Sequence, residues 1–205
     1  MVEGFIEDTE LSKVGLVSPP QQELILELEK TQHDFWNVAR SSANFLNMLI
    51  KISGSKNVVE VGTSNGYSGI WIGKALKATG GKLTTIEYYE KRIVLAQENF
   101  KTCEVDDIIT IKQGSATEVL EELCSQDDFE IDFAFIDANK GEYVKYFDLI
   151  NPKLKKGAII AADNITSHPE KVATFVDKIK ADPNYQVEII DLPAGMLIGY
   201  KINSI

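Results

Sequence analysis

The chain has 205 residues, 44% of them apolar, enough to bury one sizeable core. Its formal charge of −10 argues against a nucleic-acid partner, because such a site needs a dense basic footprint to displace counterions. No run of about 18 apolar residues occurs, and the opening MVEGFIEDTE is acidic instead of a basic region leading into an apolar one, so a soluble, cytoplasmic protein with no membrane span is expected.

In chain order, the first helical signal is SPPQQELILELEK: Ser18 as N-cap, Pro19 at the first helical position and Gln21 closing a capping box. SANFLNMLIKI places Phe45, Leu46, Met48, Leu49 and Ile52 at helical spacing, and Gly54 follows as a terminator. Residues 1–55 are therefore expected to form a helical preface to a core spanning 56–205, the whole 1–205 making one domain. From residue 57 short β-branched runs alternate with helical ones. Strands are predicted at 57–62, 82–87, 108–113, 131–137 and 158–164, with helices at 67–79, 89–101, 116–125 and 140–151. Ser167 and Glu170 are read as a capping box opening a further helix near 168–181. Strands apolar on both faces belong in a covered parallel sheet, which makes the fold α/β and Rossmann-like. YQVEIIDLPAGMLIGYKI reads as an antiparallel hairpin on the sheet margin. Cys103 and Cys124 form no CxxC and have no histidine nearby, so free thiols are expected.

The first strand runs into EVGTSNGYSG, where Gly62 and Gly66 let the backbone pass close to a ligand at a helix start. The spacing is not the Gly-x-Gly-x-x-Gly of dinucleotide enzymes, and Glu60 inside the strand would repel a pyrophosphate. Glu87, ending the second strand, suits both hydroxyls of a ribose. Together these call for an adenosine-type ligand that lacks a pyrophosphate and carries positive charge, a description S-adenosylmethionine meets. Ser115, after the third strand, reads either as a helix cap or as a contact to an adenine edge, the cap being favoured by spacing.

Two further strands end in aspartate, Asp137 after FAFI and Asp163 after IIAA. With the amide oxygen of Asn164 they offer three hard oxygen ligands suited to Mg²⁺ or another divalent cation such as Mn²⁺ or Ca²⁺. The competing reading makes Asp137 a helix N-cap and Asp163-Asn164 an ordinary turn.

VVEVGTSNGYSGIWIGKAL, LTTIEYYEKRIVLAQENF, IDFAFIDANKGEYVKYFDLI and GAIIAADNITSH together resemble the metal-dependent class I O-methyltransferases, which include the catechol and caffeoyl-CoA enzymes. The likeness covers about residues 35 to 202. It implies a seven-stranded, mostly parallel sheet with an antiparallel last strand, helices on both faces, and a homodimer. It assigns metal ligation to Asp137, Asp163 and Asn164, and cofactor contacts to Val38, Glu60, Gly62, Gly66, Ser68, Glu87, Ser115, Ala116 and Asp137. Lys140 matches the catalytic base, with Asp137 beside it. After DN the plant-type enzymes continue with tryptophan and glycine, whereas this chain has ITSHPEK, so the wall facing the acceptor differs.

The implied reaction is methyl transfer from S-adenosylmethionine to one hydroxyl of a catechol-like, vicinal dihydroxyaromatic acceptor. Two alternatives stand beside it: a cofactor-sensing module without chemistry, against which Lys140 and the three oxygen ligands argue, and a nucleotide-dependent oxidoreductase, which lacks its glycine fingerprint here. Tyr143, Tyr146 and Phe147, at i, i+3 and i+4, read as a core stripe.

Overall fold

The computed structural model describes residues 6–203. Among these, seven strands form one sheet: β1 (Asn57–Val61), β2 (Lys82–Glu87), β3 (Ile109–Gln113), β4 (Ile131–Ile136), β5 (Leu154–Ala162), β6 (Tyr185–Ile190) and β7 (Met196–Lys201), in spatial order β3-β2-β1-β4-β5-β7-β6. The first five pair in parallel. β7 runs antiparallel to both β5 and β6. The hairpin thus sits at the margin, as expected, but its second strand lies against β5 and its first, β6, forms the edge. The turn between them is closed by Gly195, whose amide donates to the Leu192 carbonyl at 2.7 Å.

Helices α1 (Thr9–Lys13), α2 (Pro19–Lys30), α3 (Gln32–Phe35) and α4 (Arg40–Ser53) precede the sheet. α5 (Tyr67–Thr79), α6 (Glu90–Thr102), α7 (Ala116–Cys124), α8 (Tyr143–Ile150) and α9 (Pro169–Ala181) connect its strands. Alternation along the strands builds two cores. Val58, Leu83, Phe133, Phe135 and Ala161 face α4, α5 and α6, while Val59, Val61, Ala134, Ile136 and Ala162 face α7, α8 and α9. This is why the central strands read as unbroken apolar runs: each side chain, whichever way it points, is covered.

The N-terminal helices are pinned by polar contacts across elements. Arg40 donates from Nε and Nη2 to the two oxygens of Glu29, both at 2.8 Å, and from Nη1 to Asp8 Oδ2 at 2.7 Å. Tyr67 Oη, from α5, donates to the same Glu29 at 2.8 Å. A planar guanidinium paired at both ends fixes orientation as well as distance. At the start of α2, Gln21 Oε1 accepts from the Val17 and Ser18 amides, the reach-back predicted from the capping box.

Three local expectations are corrected. β5 begins at Leu154, four residues before the predicted start, because the polar LKKG stretch hides it; Lys155 is there engaged by Glu130 and Asp132, each at 3.1 Å. The segment after Asp137 opens with a 3₁₀ turn, Lys140–Glu142, capped by Asn139, and becomes α-helical only at Tyr143. Ser167 does not cap α9: His168 is its N-cap, and the Ser167 hydroxyl bonds instead to His168 Nδ1 at 3.0 Å.

Candidate active site

Strand register brings the predicted residues to one edge. Val61 is level with Ile86 and with Ile136, and Ile136 with Ala162, so residues 62, 87, 137 and 163 emerge side by side. The chain leaves β1 toward β2 on one side while β4 lies on the other, which opens a crevice where α/β sheets bind ligands. A cleft of about 770 Å³ occupies this place.

Gly62 is the hinge of the cleft. It has φ +109, and a Cβ there would lie 2.3 Å from the Asp137 carbonyl oxygen. Both the dihedral and the approach demand glycine. Beyond it, Ser64 adopts φ 49 and its amide donates to Glu87 Oε2 at 2.8 Å. Glu87 Oε1 accepts from the amides of Tyr88 and Tyr89, at 2.9 and 3.0 Å. Three backbone donors therefore fix this carboxylate at the cleft wall, and its remaining lone pairs are available to a diol.

Val38, Gly62, Ser68, Glu87, Ser115, Ala116, Asp137, Lys140 and Asn164 all line the cleft. Ser115 stands at the N-cap of α7 without making the capping bond that spacing favoured, so its hydroxyl is free for the cleft. Glu60, Gly66 and the expected metal ligand Asp163 do not line the cleft. Gly66 packs on α6, where a Cβ would fall 2.7 Å from the Phe100 ring. Glu60 is fully buried behind Ser68, whose hydroxyl donates to Oε1 at 2.5 Å, while Thr85 donates to Oε2 at 2.6 Å. With its proton so used, Thr85 accepts from Thr63 at 2.6 Å. Burial pushes the Glu60 carboxyl up to about 7 against the pull of these two hydroxyls, and the charges of Asp137 and Glu87 push the same way.

At the acidic end, Lys140 Nζ donates to Asp137 Oδ1 at 3.1 Å. The Asp137 side chain is 14% exposed, and burial raises its carboxyl although Lys140 opposes the shift. Asp163 is 3% exposed, and burial followed by the Asp137 charge pushes it up to about 7. Asp163 Oδ1 and Asn164 Oδ1 are both buried without a hydrogen-bond partner. Asn164 holds φ 65, a conformation asparagine tolerates better than most residues. Tyr143 Oη donates to the Asp163 carbonyl at 3.2 Å, fixing the turn from below. Tyr143, Tyr146 and Phe147 are buried as the core stripe expected. Among the described residues no three His, Cys, Asp or Glu side chains gather as a metal site; the convergence here is two carboxylates and an amide. Orphaned buried acceptors beside raised carboxyls fit a divalent cation bound through oxygen.

The sequence reading put the ITSHPEK stretch, with His168 and Lys171, on the acceptor side and left the rest of the wall unmarked. Trp36, Tyr88, Tyr89 and Arg92 line one end of the cleft, and Glu142, His168 and Lys171 the other. Nothing in their spacing marks them, since they come from four separate connections; only adjacency to Glu87 or Asn164 pointed toward some of them.

Comparison with known proteins agrees with this geometry. The family model for O-methyltransferases matches residues 17–202. The catechol O-methyltransferase of Niastella koreensis is 34% identical over 129 residues, which cover 63% of this chain and 58% of that protein. Tapetum-specific methyltransferase 1 of Arabidopsis thaliana is 35% identical over 152 residues, 71% of this chain and 65% of that protein. Each match thus spans less than two thirds of the relative's length. Among solved structures, an O-methyltransferase from Bacillus cereus in complex with SAH superposes with a TM-score of 0.81 at 24% identity, covering 95% of this chain and 96% of that one, and shows the same fold. A seven-stranded α/β sheet, a cleft at its switch point and a family match over most of the sequence lead to one conclusion: the chain belongs to the O-methyltransferase family.

Proposed function

We propose that this protein is an S-adenosylmethionine-dependent O-methyltransferase that methylates one hydroxyl of a catechol-like acceptor with the help of a divalent cation. The observation that carries the reading is the pair of buried, unpartnered oxygens, Asp163 Oδ1 and Asn164 Oδ1: Asn164 and Asp137 line the cleft that also presents Glu87, and Asp163 is buried beside them. Leaving such acceptors unsatisfied costs about 1–3 kcal/mol each, a cost that a bound cation would remove. The names of the relatives, catechol O-methyltransferase among them, support the acceptor class.

Asp137, Asp163 and Asn164 would hold the cation, which when bound supplies Lewis-acid stabilisation of the acceptor's oxygens and fixes their orientation. The donor's ribose is assigned to Glu87, its adenine end to Ser115 and Ala116, and its methionyl portion to the wall of Val38, Gly62 and Ser68. Glu60 acts behind that wall by orienting the Ser68 hydroxyl. Lys140 is the acceptor-side base: its Nζ donates to Asp137, and it takes the acceptor's proton as the neutral amine, whose lone pair is free while an N–H still bonds Asp137, after its ammonium proton has gone to solvent. His168 and Lys171 form the wall that departs from the plant-type sequence. The setting we propose is a cytoplasmic homodimer, on the family resemblance.

The test is methyl transfer from labelled donor to a panel of catechols, flavonoids and acyl-CoA phenolics, with Mg²⁺ and with EDTA. Transfer that needs the metal and vicinal hydroxyls supports the reading. Undiminished transfer in excess chelator defeats the metal part, and no transfer to any vicinal diol defeats the acceptor class.

A further inference from the structure

At the donor end of the cleft, the guanidinium of Arg92 lies 5.4 Å from the centroid of the Trp36 ring and 5.5 Å from that of Tyr89. Among the described residues its partners are aromatic rings rather than carboxylates. Trp36 belongs to the segment between α3 and α4, and Tyr89 to the turn after β2. Arg92 comes from the first turn of α6 and joins the two.

The segment carrying Trp36 is held on both sides. Ser64 Oγ donates to the Phe35 carbonyl at 2.8 Å, and Asn37 Nδ2 donates to the Leu28 carbonyl at 3.0 Å. Gln32 Nε2 and the Asn37 amide close the loop on itself, the first on Asn37 O and the second on Gln32 O, each at 3.0 Å. Trp36 itself, at φ 55 and 75% exposed, has no such anchor for its ring. Tyr89 is anchored at its backbone, where its amide donates to Glu87 Oε1 at 3.0 Å, while its ring is also exposed.

We propose that Arg92 is a positioning residue that latches Trp36 onto Tyr89 and so holds the segment between α3 and α4 in place at the donor's end of the cleft. The inference rests on the reading of Glu87 as the ribose acceptor. A planar cation suits this role because it lies over both rings while the backbone beside each is anchored separately. The latch acts on donor binding rather than on the chemical step, since Arg92 stands at the opposite end of the cleft from Lys140.

The experiment is calorimetric titration of S-adenosylhomocysteine into the full chain and its Arg92→Ala, Trp36→Ala and doubly substituted variants, together with KM and kcat for the donor. Two exposed cation–ring contacts predict a loss of about five- to thirtyfold in affinity for Arg92→Ala. Donor KM rises in parallel, kcat is unchanged, and the melting temperature stays that of the parent. Trp36→Ala matches it, and the double variant is no worse than either single one. Wild-type affinity in Arg92→Ala, or losses that multiply in the double variant, would overturn the latch. Glu87→Ala separates the two levels. If it abolishes binding while Arg92→Ala does not weaken it, only the latch fails; if it leaves binding intact, the donor reading fails as well.

Discussion

A Cβ atom placed on Gly62 would stand 2.3 Å from the carbonyl oxygen of Asp137. The backbone of the turn that would cradle the donor thus passes directly against that of the strand end that would hold the cation, leaving no room for a side chain between them. Gly62→Ala adds a left-handed backbone penalty to a clash with rigid main chain, a combination that costs about 2–4 kcal/mol. Denaturant unfolding checks the stability, and titration with S-adenosylhomocysteine should show binding lost in the fraction that still folds.

Cation binding should depend on pH in a definite direction. Asp163 is pushed up to about 7 by burial and the neighbouring Asp137 charge, and must lose its proton to act as a ligand. Mg²⁺ affinity therefore weakens as pH falls below about 7, and binding above it releases no proton from this group. Calorimetry in buffers of different ionisation enthalpy measures the proton count. Asp163→Asn should abolish Mg²⁺ binding and leave the melting temperature unchanged or raised, since it removes a buried carboxyl held against its own charge.

Glu60 gives a separate signature, in stability. Its carboxyl lies at about 7 in the folded chain against 4.5 for the ordinary group. Between those values the folded state keeps a proton that the unfolded chain has given up. Stability from this group is therefore full at low pH and declines as pH rises through about 7. Glu60→Gln should flatten that decline by on the order of 3 kcal/mol, read from denaturant midpoints at about pH 5 and about pH 8.

Lys140→Met tests the base. Its Nζ is 3.1 Å from Asp137 Oδ1 and its side chain is 21% exposed, so the substitution removes a proton acceptor without opening a core. A fall in kcat of about 10²–10⁴ is expected, with donor affinity kept. A variant that turns over at the parental rate would remove Lys140 from the mechanism.

Much of this architecture was legible because the central strands are covered on both faces and leave an uninterrupted apolar signature in the sequence. Once Val58 to Val61, Phe133 to Ile136 and Ile159 to Ala162 are recognised as such strands, the residues that follow them must share an edge. That logic gathered Gly62, Glu87, Asp137 and Asp163 before any contact was visible. It could not separate wall from support: Glu60, inside β1, and Gly66, in the turn after it, face Ser68, Thr85 and Phe100. Spacing likewise overvalued Ser115 and Ser167 as caps, because a hydroxyl that follows a strand can equally bond across the cleft or to its neighbour. The order of β6 and β7, the early start of β5 at Leu154 and the Trp36–Arg92 contact depend on partners far apart in the chain. No local period announces them.

The most direct measurement is an anomalous difference map from crystals grown with Mn²⁺ and S-adenosylhomocysteine. One peak is expected within bonding distance of Asp137, Asp163 and Asn164 oxygens, about 2.0–2.3 Å by analogy with hard-cation sites, with the ribose on Glu87. A map that leaves Asp163 Oδ1 and Asn164 Oδ1 without a metal neighbour, while the ligand occupies the cleft, would contradict the account.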